Sequence, residues 1–186
     1  AHMAKLVHGD RYRSRLINKL MFGTYNKRIK DNRTDSDWLT KDTGIVDKYT
    51  SDPKCSYMFT TNGYIGFLNV IRFDINEKNI ARTPAALPVL FASGEDDPVG
   101  DYGKAVKKVF KLYTKYVDNV ELRLYEDDRH ELHSETNRQE GFEDLLEWIE
   151  SDVLAYDIDW FMIQYKEAIL ELNTWIKNNV VLKTTC

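Results

Sequence analysis

The order of apolar patterns along the chain predicts an α/β fold with three parts. A helix-rich segment covers residues 4–83, a strand–helix–strand–helix run covers 84–152, and a helical extension covers 153–186. Three observations carry this. The first segment spaces its apolar residues as helices do and offers no good strand. The run Leu87 to Ala92 is short, apolar and bounded by turn residues. The stretch NVELRLYEDD alternates with period two, Val120, Leu122 and Leu124 against Glu121, Arg123 and Tyr125. Two strands joined by a helix pair in parallel through a right-handed crossover.

Element by element, residues 11–30 place Leu16, Ile17, Leu20 and Met21 on one helical face, and Gly23 ends or turns that helix. In the polar stretch that follows, Thr34 and Ser36 suit N-caps and Trp38 and Leu39 suit the anchors of a short helix. A helix is expected over 43–50, ending before Asp52-Pro53, and another over 63–75, with Tyr64, Phe67, Leu68 and Ile71 on one face. After the strand at 87–92, residues 101–117 form an amphipathic helix. Val106, Val109, Phe110 and Tyr113 face inward, and Lys104, Lys107, Lys108 and Lys111 face outward. The last helix of this run carries Phe142, Leu145, Leu146, Trp148 and Ile149. In the extension, Ile158, Met162, Tyr165, Ile169, Leu172 and Ile176 step by fours and threes, a heptad spacing too short for a self-standing coiled coil. Ala1-His2-Met3 reads as a cloning remnant.

Bulk properties exclude several classes. The chain has 186 residues, 42% hydrophobic and 12% aromatic, so it can bury a core. Its net charge is −4 with both signs interspersed, leaving no basic stripe for a phosphate backbone, so no nucleic-acid partner is expected. No apolar stretch approaches the length of a membrane span. Cys55 and Cys186 lie far apart without metal-ligand spacing, which suits free thiols in a reducing, cytoplasmic compartment. Asp127, Asp128, His130 and His133 are close in sequence but lack the face geometry of a helical metal motif, so neither metal nor cofactor is expected.

In a parallel sheet, chemistry gathers at the carboxyl ends of the strands. The first strand runs into Gly94-Glu95-Asp96-Asp97, and the second into Glu126-Asp127-Asp128-Arg129-His130. Parallel neighbours bring these ends together, so an acid of the first turn can hold His130 in one tautomer and stabilise its imidazolium. An acid after a strand is commonly a turn former that bonds its own backbone. Either Asp96 or Asp97 can fill the partner's place on these grounds.

Five stretches resemble the C-terminal half of an α/β-hydrolase of the lysophospholipase or serine aminopeptidase-like branch, which includes monoglyceride lipases. LPVLFASGEDDPVGDYGKAV is similar to the penultimate strand and its acid turn, and LRLYEDDRHELHSE to the last strand and histidine loop. RSRLINKLMFGTYNKR, DWLTKD and DPKCSYMFT resemble the helical cap inserted before them. The resemblance runs from about Arg11 to Glu150. It implies that Asp97, at the fourth position of G-x-x-D, is the triad acid, that His130 is the base, and that Asp96 is a turn residue. It makes Phe59, Tyr64 and Phe67 candidate walls of a lipid or small-ester pocket.

The nucleophile of such enzymes sits in G-x-S-x-G between a strand and a helix. These 186 residues contain no such motif. Ser93 has no glycine two places before it, and His8-Gly9 precedes a helix rather than a strand. Cys55 could pair with a histidine in principle, but thiolate chemistry needs an electropositive, accessible site, and the resemblance places Cys55 in the cap. An acid and a base without a nucleophile or oxyanion hole do not transfer an acyl group. The expectation is the C-terminal part of a serine hydrolase, inactive alone. The alternative is a non-catalytic, self-associating or binding module derived from one. An unpaired edge on the 87–92 strand, together with the 153–182 helix, predicts a homodimer or higher assembly.

Overall fold

A computed structural model of the protein describes residues 1–30, 32–55, 57–153, 170–175 and 177. Among the described residues, five α-helices precede the sheet: α1 (His2–His8), α2 (Arg15–Phe22), α3 (Thr43–Ser51), α4 (Thr61–Asp74) and α5 (Glu77–Ile80). Side chains close the N-termini of α2 to α5. The Ser14 hydroxyl accepts from the amide of Ile17, Asp42 from those of Gly44 and Ile45, Thr60 from that of Gly63, and Asn76 from that of Lys78. Each such cap contributes about 1 kcal/mol.

The sheet holds β1 (Val89–Gly94) and β2 (Val120–Tyr125), joined by α6 (Lys104–Tyr113). They pair in parallel, Val89 opposite Val120 and Gly94 opposite Tyr125. One face packs on α6: the rings of Phe91 and Tyr113 meet edge to face at 5.1 Å. The other face packs on α7 (Arg138–Trp148). There the Arg123 guanidinium donates to the Asp144 carbonyl at 2.7 Å, and the Tyr125 hydroxyl donates to the Asp144 carboxylate at 2.9 Å. Burial and that carboxylate push the Tyr125 phenol well above its ordinary pKa. Leu39, Val46, Tyr64, Ile80, Val117 and Tyr125 form the buried apolar core. No helix among the described residues is long and apolar enough to cross a membrane.

The expected strand–helix–strand–helix order is present, with shifted bounds. The first strand moves two residues later, so Gly94 of the acid turn is its last residue. The crossover helix starts only at Lys104, because Asp101, Tyr102 and Gly103 all adopt left-handed backbone, with φ of 49°, 55° and 76°. The short helix expected around Trp38 is instead a turn. Asp37 reaches back to accept from the amides of Arg33 and Thr34 and from the Thr34 hydroxyl, while the carbonyls of Asp37 and Thr40 go to Arg129. Those carbonyls are lost to any helical ladder. His133 lies in a separate 3-10 turn, Leu132–Ser134, rather than at the start of α7. The helical face expected on α4 forms, yet only Tyr64 is buried; Phe67, Leu68 and Ile71 are exposed. His2 and Met3 belong to α1. Of the heptad positions in the extension, Leu172 is described and exposed; Ile158, Met162, Tyr165, Ile169 and Ile176 lie outside the described residues.

Candidate active site

The two strand ends are sewn together by backbone. The amide of Glu95 donates to the Tyr125 carbonyl, and that of Asp96 to the Asp128 carbonyl, both at 2.8 Å. This approach requires Gly94, because a Cβ there would lie 2.0 Å from the Asp128 carbonyl oxygen. The crossing leaves Asp96 exposed and turns Asp97 inward, where it is buried.

Asp97 splits its carboxylate between two tasks. Oδ1 accepts from the amide of Val99 at 2.8 Å, which holds the turn. Oδ2 lies 3.1 Å from Nδ1 of His130. A carboxylate can only accept, so Nδ1 carries the proton and Nε2 is the basic nitrogen. The acid side chain is 8% exposed and the histidine 37%, so the pair is shielded at its carboxylate and open at its imidazole.

Three aromatic rings crowd the histidine's approach. Trp38 lies 5.2 Å from the His130 ring, Tyr25 lies 5.0 Å from Trp38, and Phe22 stacks on Trp38 at 6.5 Å. Burial, and then the nearby Asp97 charge, raises the pKa of the Tyr25 phenol. Arg28 stands over the Tyr102 ring, 3.6 Å from its centre, tying the helical segment to the acid loop.

A polar clamp fixes the histidine loop from below. Glu135 is fully buried, and its two oxygens accept from the amides of Arg129 at 2.7 Å and Lys41 at 3.0 Å. Arg129 donates to the carbonyls of Asp37 at 2.7 Å and Thr40 at 3.0 Å. The Thr40 hydroxyl donates to the Ser134 carbonyl at 2.9 Å, and the Glu131 amide to the Leu39 carbonyl at 2.8 Å. Lys41 pairs with buried Asp128 at 2.9 Å. Removing Lys41 would leave that carboxylate only its hydrogen bond from Asn137, at a cost of about 1–3 kcal/mol. The sequence hides this clamp, because Glu135 and Asp128 stand among other charged and polar residues and read as solvated surface.

Of the three predicted wall residues, Phe59 lines a cavity of about 520 Å³ together with Phe22, Trp38, Tyr49 and Tyr57. Tyr64 lies behind it, fully buried, its ring 5.5 Å from Phe59 and its hydroxyl donating to Asn18 at 2.6 Å. Phe67 stacks on Phe59 at 6.2 Å and is half exposed. Trp38 thus belongs both to the cavity wall and to the histidine's surroundings. Cys55 is half-buried in the turn after α3, and Ser93 is buried with its hydroxyl 3.3 Å from the Gly94 carbonyl.

Residues 5–137 match the family described as serine aminopeptidase, S33. The chain belongs to that α/β-hydrolase family. Three solved structures share its fold. A thermostable carboxyl esterase from Bacillus coagulans, in complex with glycerol, has TM-score 0.73 and 22% identity, over 81% of this chain and 50% of that one. A lipase in its open form has TM-score 0.69 and 24% identity, over 78% and 47%. A monoacylglycerol lipase from Paleococcus ferrophilus has TM-score 0.51 and 19% identity, over 77% and 56%. This chain therefore spans about half the length of the structures it matches. No curated protein matches it.

Proposed function

We propose that this chain supplies the acid, the base and the helical cap of a serine hydrolase that cleaves carboxylic esters, with a lipid or small ester as substrate. The observation that carries this is the 3.1 Å approach of Asp97 Oδ2 to His130 Nδ1 at the joined strand ends. With Nδ1–H held by Asp97, Nε2 takes the proton of a serine hydroxyl as the serine attacks the ester carbonyl. Asp97 stabilises the imidazolium that results. The same proton then passes from Nε2 to the departing alkoxide, leaving an acyl-enzyme that water hydrolyses by the same route. The serine and its oxyanion donors lie on polypeptide outside these 186 residues, because no G-x-S-x-G occurs among them. That polypeptide would pair with the edge of β1 that no strand covers among the described residues. By itself this chain is inactive, and its cytoplasmic setting belongs to the same proposal.

Intact mass after treatment with a fluorophosphonate probe, run beside His130→Ala, tests this. No adduct is expected on the chain alone. One probe mass on the wild type that vanishes in the variant would mean that a competent nucleophile lies within the chain.

A specific observation favours self-association as a second reading. Met3, Leu6 and Val7 on α1, Leu16 and Leu20 on α2, and Phe67, Val70 and Phe73 on α4 are all exposed. Isolated exposed apolar residues are ordinary, but several on each of α1, α2 and α4 mark a surface that takes a partner. A second copy of the chain is the partner proposed.

A further inference from the structure

The cavity beside Trp38 has a composition that hydrocarbon binding does not require. Its walls carry two aromatic pairs, Phe22 stacked on Trp38 at 6.5 Å and Tyr57 edge-on to Phe59 at 5.6 Å. Among the described residues the lining has one charged member, Asp35, at an exposed position, and no lysine, arginine or histidine. None of the described residues hydrogen-bonds or ion-pairs with that carboxylate. The nearby Arg33 is engaged by Asp47 instead. Aromatic faces present negative potential, and a carboxylate among them adds a full negative charge, a combination that attracts an organic cation more than a neutral alkyl group. The neutral polar residues Asn18, Ser36, Tyr49 and Thr50 complete the described lining without cancelling the charge. A volume of about 520 Å³ accommodates a small ligand of that kind.

We propose that this cavity binds an alkylammonium group, with Asp35 as the counter-ion and Trp38 and Tyr57 as aromatic faces. As a statement about substrate, it rests on the acid–base role assigned to Asp97 and His130: Trp38 also lies 5.2 Å from the His130 ring, so one indole links the cation's cavity to the surroundings of the base. The substrate class is then an ester whose alcohol or acyl part carries an ammonium group. As a statement about binding, it stands without that role.

The test is an NMR titration of the full isotope-labelled chain with choline and, separately, with its neutral carbon isostere 3,3-dimethylbutan-1-ol. Choline is expected to bind about tenfold tighter than the isostere, with shifts at the Trp38 indole and at Tyr57. Its affinity should fall with added salt. Asp35→Asn, at an exposed position, should remove the preference while leaving the isostere's affinity unchanged. Equal binding of the two ligands, tighter binding of the isostere, absence of binding by either, or a preference that survives in Asp35→Asn would each overturn the proposal. None of these outcomes alters the Asp97–His130 contact, so failure here is separable from failure of the acid–base role.

Discussion

Asp97 and Asp96 are neighbours with opposite fates, and a single backbone contact separates them. The Asp96 amide is fixed to the Asp128 carbonyl, which holds that residue at the surface. The next side chain is thereby directed to His130. Asp37 shows a carboxylate used for structure instead. Burial alone would raise its pKa, but hydrogen bonds from the Thr34 hydroxyl and from the amides of Arg33 and Thr34 outweigh it, and the net shift is downward. A folded pKa below the unfolded one means that Asp37 stabilises the fold fully above about pH 4 and ceases to as pH falls through the folded value. Thermal melts of the wild type and Asp37→Asn should differ most near neutral pH and converge in acid, as pH falls through the folded value. A gap that stayed constant with pH would show that the ionised carboxylate contributes nothing.

At the scale of elements, the joint between β1 and the histidine loop is the decisive contact. Gly94→Ala would drive a methyl into the Asp128 carbonyl, 2.0 Å away. It should destabilise the protein by about 1–3 kcal/mol, read as a lower urea midpoint, and separate Asp97 from His130. An unchanged midpoint would mean that the loop moves freely. Much of this element order is legible in the sequence, because period two over Val120–Tyr125 and the Lys-outside face of α6 are local signals. The acid and histidine turns are legible too, since strand order alone brings them together. The turn at Trp38 is not, because its hydrogen bonds go to Arg129, about ninety residues away. Nor is Glu135, a buried carboxylate whose partners are backbone amides of two separate segments. The exposure of Phe67 and Ile71 is equally hidden, since helical spacing reports which residues share a face, not what covers that face.

At the scale of the whole molecule, the chain couples an intact acid–base contact to uncovered apolar helices and a two-stranded sheet, among the described residues. Two-stranded sheets are marginal alone, and exposed strand edges seek partners. Light scattering of the purified chain should therefore give at least twice the mass of 21.8 kDa. The apparent mass should fall when Leu16, Leu20 and Phe67 are replaced by Glu. A monomer mass for the wild type at working concentration would remove the self-association reading. The account as a whole turns on whether Asp97 and His130 act as one acid–base unit. The direct measurement is the imidazole nitrogen and proton NMR spectrum of His130 in the wild type, Asp97→Asn and Asp96→Asn. The wild type and Asp96→Asn should both show a Nδ1–H tautomer with a downfield, exchange-protected proton, and Asp97→Asn should lose it. A His130 spectrum indifferent to Asp97→Asn, or altered equally by Asp96→Asn, would contradict the account.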